Sequence, residues 1–297
     1  MVVDALPELG GQITAMYPEK LIHDVAGFPA VRGRDLVDGL VAQAAPFSPR
    51  YVLGEIAGEL RHEDGLPVVA LSGGRTVRAK AVIITGGMGN FVPRPLPVGQ
   101  EFQGSGLEYF VARPDDYADR DVVIVGGGDS ALDWAVTLHP LARSVTLVHR
   151  RERFRAHRHT VDKVRRSPVR MLTDCEVVAL HGNGRVQAVD VAHRLTDEVR
   201  RLPADAVVAA LGFVVDLGPL RTWGLELRAK RITVSTDMST NLPRVYAAGD
   251  ITAYPGKVRL IAVGFGEVAT AVNNAAVAID TTQSLFPGHS TDVPAAP

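Results

Sequence analysis

Cysteine is nearly absent from this chain, and the single residue present, Cys175, excludes intrachain disulfides, Cys-x-x-Cys redox centres and cysteine-based zinc clusters together. No run approaches the ~18 consecutive apolar residues that a spanning helix needs. The opening residues 1–11 have neither a basic stretch nor the long apolar stretch of a secretory signal. A cytoplasmic protein that enters no membrane is expected. Charge of one sign is not in excess either. With 32 Lys+Arg against 33 Asp+Glu the net charge is −1, so no global field recruits nucleic acid or an anionic membrane. No internal repeat of fixed period and no low-complexity tract occurs.

What is present is an ordinary globular composition, 46% hydrophobic and 22% charged. The length of 297 residues is twice the ~150-residue modal domain, which allows one large domain or two of common size. Val2-Val3-Asp4 reads as a short strand ending in an acid, with no preceding helix or turn. A helix is predicted over 34–45, where Leu36, Val37, Leu40 and Val41 recur at helical spacing before Pro46 and Pro49. Runs 51–60, 67–71 and 75–80, divided by Asp64-Gly65 and Gly73-Gly74, predict an antiparallel meander. A strand at 81–85 follows. The prolines of 92–97 and the glycines of 99–106 mark a crossover to a new unit. That unit reads strand 122–125, glycine turn, helix 130–138, strand 144–149, a basic helix-prone segment to Arg166, and mixed strands to Ala210. Beyond Gly212 come a strand at 245–248, a long apolar helix over 262–278 and a tail from Thr281.

Three patterns can carry chemistry. Gly126, Gly128 and Ala131 form G-x-G-x-x-A directly after an apolar strand and at the start of a helix, which is the context of a dinucleotide fingerprint. Gly126 allows the tight turn, Gly128 lets backbone approach a pyrophosphate, and Ala131 lets helix and strand pack closely, with the helix N-terminus toward the phosphates. The bland reading is a glycine-rich turn of another α/β protein. The next strand ends in His149-Arg150-Arg151, with Arg155 one turn on and no acid at that end. An acid there would hold the ribose 2′-hydroxyl of NAD, whereas arginines can grip a 2′-phosphate bidentately, so NADP is favoured over a merely solvated basic face. The strand 245–248 ends in Gly249-Asp250 ahead of the long small-residue helix. In flavoproteins with two dinucleotide sites this pattern offers a carboxylate to the ribityl chain and a helix N-terminus to the flavin.

The segment 150–166 carries eight Lys/Arg against Glu152 and Asp162, with His157 and His159 between them. An isolated His-x-His without further ligands is not read as a metal site, and Phe154 alone supplies too little stacking for nucleic acid. A docking surface for an acidic protein and a plain solvated face both remain open.

Taken together these residues resemble the thioredoxin-reductase-like ferredoxin/flavodoxin–NADP reductases of bacteria. The matching runs are 9–12 through 17–20, 24–29, 126–134, 149–157, 223–225, 248–250, Gly256-Lys257, 264–267, 272–275 and the tail 289–291. The likeness covers nearly the whole chain, and the lack of a cysteine pair separates it from thioredoxin reductases themselves. The resemblance implies an α/β fold of two nucleotide-binding domains of the FAD/NAD(P)-binding, Rossmann-like, three-layer type. It assigns 1–112 and 240–297 to FAD and 113–239 to NADP. Carried over, Asp4 binds the adenosine ribose of FAD, Gln12 and Tyr17 contact the flavin with the tyrosine ring stacked on it, and Ala57 and Phe91 serve the adenine side and the pocket. Asp250 takes the ribityl chain, and His289 and Thr291 lie in a tail covering the other flavin face from the partner of a homodimer. The family opens with a strand and G-x-G-x-x-G turn for the FAD pyrophosphate, and this sequence starts after it. An FAD domain truncated at its N-terminus, holding flavin poorly, is therefore expected. No side chain is implied as a catalytic acid or base, since the cofactors carry the chemistry. Ferredoxin or flavodoxin is the implied partner. A quinone or other small-molecule acceptor, and a bare NADP-binding remnant, are the rival readings.

Overall fold

The first strand, β1 (Val2–Asp4), pairs in parallel with β2 (Tyr51–Leu53), placing Val3 opposite Val52. Between them lie α1 (Gly11–Met16) and α2 (Gly33–Ala44). The second helix buries Leu36 and Val37 and gives way at Pro46 to a 3₁₀ turn. The computed structural model describes residues 1–286 and 288, without the side chains of Asn90, Phe91 and Val215.

The strand predicted over 51–60 is two strands in two sheets. Gly54 turns the chain at φ +72°, and its N–H donates to the Leu6 carbonyl, so 51–53 stay with β1. The meander starts only at β3 (Ala57–Glu63) and continues through β4 (Leu66–Leu71) and β5 (Thr76–Arg78), all antiparallel. β6 (Val82–Ile84) follows.

The second unit is built on a five-stranded parallel sheet. Its strands are β7 (Leu107–Glu108), β8 (Asp121–Val125), β9 (Ser144–Val148), β10 (Arg170–Leu172) and, entering last, β14 (Ala206–Ala209). They lie in the order β7-β14-β8-β9-β10. Helices α3 (Asp129–Leu138) and α4 (Arg158–Arg165), and an antiparallel sheet of β11 (Cys175–His181), β12 (Ala188–His193) and β13 (Val199–Pro203), complete it. Alternate residues of β8 explain the layering. Val122 and Ile124 pack with Leu132, Leu138, Val161 and Val164 of the helices, while Val123 and Val125 pack with Val177, Val189 and Val191 of the antiparallel sheet. A strand covered on both faces must be apolar throughout, which is why 122–125 read as a continuous hydrophobic run. Leu132 and Leu138 are fully buried, worth about 1.5–3 kcal/mol each.

The chain then returns to the first unit through β15 (Val245–Ala247), parallel to β6, and α5 (Ile261–Ile279). By residue contacts the first unit comprises 1–14, 20–91 and 215–297, and the second 15–19 and 92–214. The crossings thus precede the expected boundaries at 112 and 239. β7 pairs with β14 inside the second unit, whereas Leu217, Trp223, Leu225 and Ile232 join the first unit's core. One further expectation changes: the basic segment is helical only over 158–165. By length and composition alone α5 could cross a membrane, a test that core helices also pass, and Glu267 lies within it, paired with Lys257.

Candidate cofactor sites

In the first unit Asp4 and Asp250 each stand at the carboxyl end of a parallel strand, in two separate two-stranded sheets. Asp4 closes β1, Gly86-Gly87 follow β6, and Gly249-Asp250 follow β15; Ala248 N–H donates to the Ile84 carbonyl at 3.0 Å and ties the last two together. Ligands of open α/β sheets bind at this end because helix N-termini and loop amides converge there. Gln12, on α1, lies against Gly87. A Cβ at Gly87 would stand 2.1 Å from Gln12 Nε2 and displace that amide, and φ there is +57°, a left-handed conformation that favours glycine. The Gln12 Nε2 is buried and has no hydrogen-bond partner among the described residues. A buried amide donor left unpaired costs roughly 1–3 kcal/mol, so this donor would fit an acceptor supplied by a ligand. That is the fit a flavin ring, edged with carbonyl oxygens and ring nitrogens, requires.

The other members are held by backbone. Asp4 Oδ1 accepts the Leu6 N–H at 3.0 Å. The Asp250 carboxylate accepts no hydrogen bond among the described residues, whereas its carbonyl accepts Arg231 Nε at 3.0 Å. Burial lowers the pKa of that arginine. The first turn of α5 has no side-chain cap and no acid, leaving open N–H groups. Ala57 begins β3 opposite Leu71 and packs on the core. Tyr17 is half-buried and groups with the second unit, while Gln12 belongs to the first. Phe91 lies in a strand at 90–93; its side chain, and the whole of His289 and Thr291, fall outside the described residues.

In the second unit β8 runs into Gly126 and α3 begins at Asp129 with Gly128 as an uncapped N-cap. A Cβ on Gly126, where φ is +155°, would lie 2.4 Å from the Ala210 carbonyl oxygen and 2.9 Å from Ala131 Cβ. Ala131 is fully buried. Gly128 has open space before its Cα. The loop 149–157 folds back over this turn. Arg155 N–H donates to the Gly127 carbonyl at 2.8 Å, and His157 N–H to Asp129 Oδ1 at 2.8 Å. The His149 ring lies beside Gly127 and stacks on Phe154 at 4.8 Å between centroids. These long-range bonds, which local helix propensity does not anticipate, are why 150–157 are not helical. Burial, then the charges of Arg151 and Arg150, push the His149 pKa down. Arg150, Arg151 and Arg155 are exposed and form no ion pair among the described residues.

One contributor was not foreseen as part of either site. Glu267 is 5% exposed and reaches back from α5 to the Gly249 turn; in the sequence it ends the matching run 264–267, with no role implied for it. Among the described residues no group of three or more His, Cys, Asp or Glu could hold a metal ion, and Cys175 is buried.

Residues 54–280 match the family described as pyridine nucleotide-disulphide oxidoreductase. The chain is 65% identical to the ferredoxin–NADP reductase of Salinispora arenicola over 98% of its own length and 90% of that protein. It is 60% identical to the enzyme of that name from Frankia alni, over 97% and 90%. Among solved structures, Lactococcus lactis thioredoxin reductase superposes with a TM-score of 0.80 at 20% identity, over 93% of this chain and 89% of that one, a likeness of fold. With a fingerprint turn, a basic loop folded over it and whole-chain identity of this degree, the chain belongs to the ferredoxin–NADP reductases of the pyridine nucleotide-disulphide oxidoreductase family.

Proposed function

We propose that this protein is a ferredoxin(flavodoxin)–NADP reductase whose first unit holds FAD and whose second holds NADPH. The observation that carries the reading is the buried Gln12 amide, a donor without an acceptor among the described residues, beside Gly87. The 65% identity to a named reductase supports the reaction. The single buried thiol speaks against thiol relay to the acceptor, the route of dithiol members of the family.

When bound, FAD supplies the exchange between a two-electron hydride donor and a one-electron acceptor. The chain's own residues bind and orient. Gln12 donates to the flavin ring, Asp250 accepts from the ribityl hydroxyls, and Asp4 accepts from the adenosine ribose through the oxygen that Leu6 does not use. Ala57 completes the flavin side, with Tyr17, Phe91, His289 and Thr291 as the resemblance implies. Gly126, Gly128 and Ala131 bring the α3 N-terminus to the NADP pyrophosphate, and Arg150, Arg151 and Arg155 hold the 2′-phosphate. No side chain moves a proton in this scheme.

The partner is an acidic one-electron carrier, ferredoxin or flavodoxin. It meets the basic segment, where Arg153, Arg158 and Arg165 line a shallow depression of about 270 Å³ with Glu152 and Asp162. A homodimer is part of the reading, supported by an apolar stripe on α5 in which Phe265, Val272 and Ile279 are 39–49% exposed. The cytoplasm is the proposed location.

The test is anaerobic mixing of the flavin-loaded chain with NADPH, followed by ferredoxin. Bleaching of the flavin spectrum and then reduction of ferredoxin are expected. A flavin that NADPH does not bleach would sink the reading.

A further inference from the structure

We propose that Glu267 is a positioning residue of the flavin site, a buried carboxylate that sets the Gly249-Asp250 turn against the start of α5. The proposal rests on the assignment of FAD to the first unit. Glu267 Oε2 accepts the Gly249 N–H at 2.6 Å. Its Oε1 accepts both the Tyr254 hydroxyl and Lys257 Nζ. The carboxylate and the Lys257 side chain are 5% and 7% exposed.

A buried ion pair seldom repays its desolvation, so its presence calls for a role beyond stability. Here the geometry supplies one. The carboxylate joins three segments: the end of β15, the 254–257 loop and the first turns of α5. Gly264 of α5 lies against the turn, where a Cβ would stand at ordinary contact distance, 3.6 Å, from Gly249 Cα. The rest of the turn is fixed through backbone, with Thr252 Oγ1 donating to the Gly249 carbonyl at 2.8 Å and Arg231 to the Asp250 carbonyl. Every anchor thus falls on main chain, and the Asp250 carboxylate is left for a ligand. Tyr254 donates throughout the working range, because its bond to Glu267 raises its pKa to about 12.

Glutamine in place of Glu267 keeps one acceptor and turns the other position into a donor, which must face either Gly249 N–H or the Tyr254 and Lys257 donors. The turn then loses an anchor and Lys257 loses its counter-ion. The experiment uses the full 297-residue chain and three variants, E267Q, E267D and E267L combined with K257M. FAD affinity is read by flavin fluorescence, backbone order by amide hydrogen exchange, and stability by urea melts. E267Q is expected to weaken FAD by about tenfold or more, the effect of losing one charge-assisted hydrogen bond, and to speed exchange over 248–251. E267D, one methylene short of Gly249, should fall between. The double variant removes the charges but also the Gly249 acceptor. It should recover the wild-type urea midpoint while FAD affinity and fast exchange stay at the E267Q level.

Recovery of both affinity and stability in the double variant would reduce Glu267 to a packing element and overturn the proposal. So would wild-type exchange at 248–251 in E267Q, a result read without flavin. If the wild-type chain takes up no FAD, as a chain starting after the pyrophosphate turn is expected to do, the flavin-free exchange measurement alone decides whether Glu267 orders the turn.

Discussion

The backbone N–H of Arg155 donates to the carbonyl of Gly127 over 2.8 Å, fastening the arginine loop to the glycine turn. Arg150, Arg151 and Arg155 are exposed and form no ion pair among the described residues. Replacing Arg150 and Arg151 together by Ala is expected to weaken NADPH by about 1.5–3 kcal/mol per charge-assisted bond lost and to leave NADH nearly unchanged. Competition by 2′-phospho-AMP against AMP measures the same preference. Equal loss for both nucleotides would show that these arginines do not read the 2′-phosphate.

The two fingerprint glycines should separate in their effects. Gly126→Ala drives a Cβ to 2.4 Å from the Ala210 carbonyl, so a loss of about 2–3 kcal/mol in urea unfolding is expected. Gly128 has φ −97° and open space. Ala there should cost within about 0.5 kcal/mol of stability yet weaken NADPH by blocking the approach of its pyrophosphate. Unimpaired NADPH binding in Gly128→Ala would argue against that approach.

Gln12→Leu tests the flavin cradle in a direction opposite to most core substitutions. It removes a buried donor that has no partner among the described residues, so the flavin-free protein is expected to gain about 1 kcal/mol. The same variant should bind FAD more weakly. A destabilised apoprotein would mean that the amide is satisfied within the fold.

Stability should depend on pH through His149. Its folded pKa lies below the ordinary 6.5, chiefly by burial, so the unfolded chain binds this proton more readily than the folded one. The contribution is fully present above about pH 6.5 and is lost as pH falls toward the folded value. Melting temperatures at pH 7.5 and 5.5 should differ more in the wild type than in His149→Gln. An equal difference would assign the acid loss to other groups.

Docking through the 150–166 segment predicts a steep salt dependence. The second-order rate with an acidic ferredoxin should fall as ionic strength rises, because a short Debye length removes the steering. Diaphorase activity with a neutral dye should stay level over the same range. A flat rate with ferredoxin would refute this docking face.

Much of this architecture is legible from local pattern. The apolar run 122–125, the small residues at 126, 128 and 131 and the helical spacing beyond them lie within one βα unit, so their meaning depends on neighbours a few positions away. The strands 2–4 and 245–247 and the helix 261–279 were legible for the same reason. The resemblance to the reductases rests on such runs, strung along nearly the whole chain.

Other features depend on partners far away in sequence, which local pattern does not record. Gly54 N–H bonds to Leu6 and breaks one predicted strand into two sheets. Gly127 and Asp129 take up the N–H groups of Arg155 and His157 and prevent a helix where propensity favours one. The chain passes between units at 91 and 214, because β7 finds its partner in β14 and Trp223 finds its core in the first unit. Gln12 is implied by the resemblance as a flavin contact and Gly87 follows a predicted strand, but only their contact in the fold shows a buried donor without an acceptor among the described residues. Glu267 reads as one acid in an apolar helix until the fold brings Gly249, Tyr254 and Lys257 to its two oxygens. Periodicity and small-residue spacing are properties of the chain. Hydrogen-bond satisfaction belongs to the packed molecule, because a buried polar group is paired or orphaned only once the chain has closed around it.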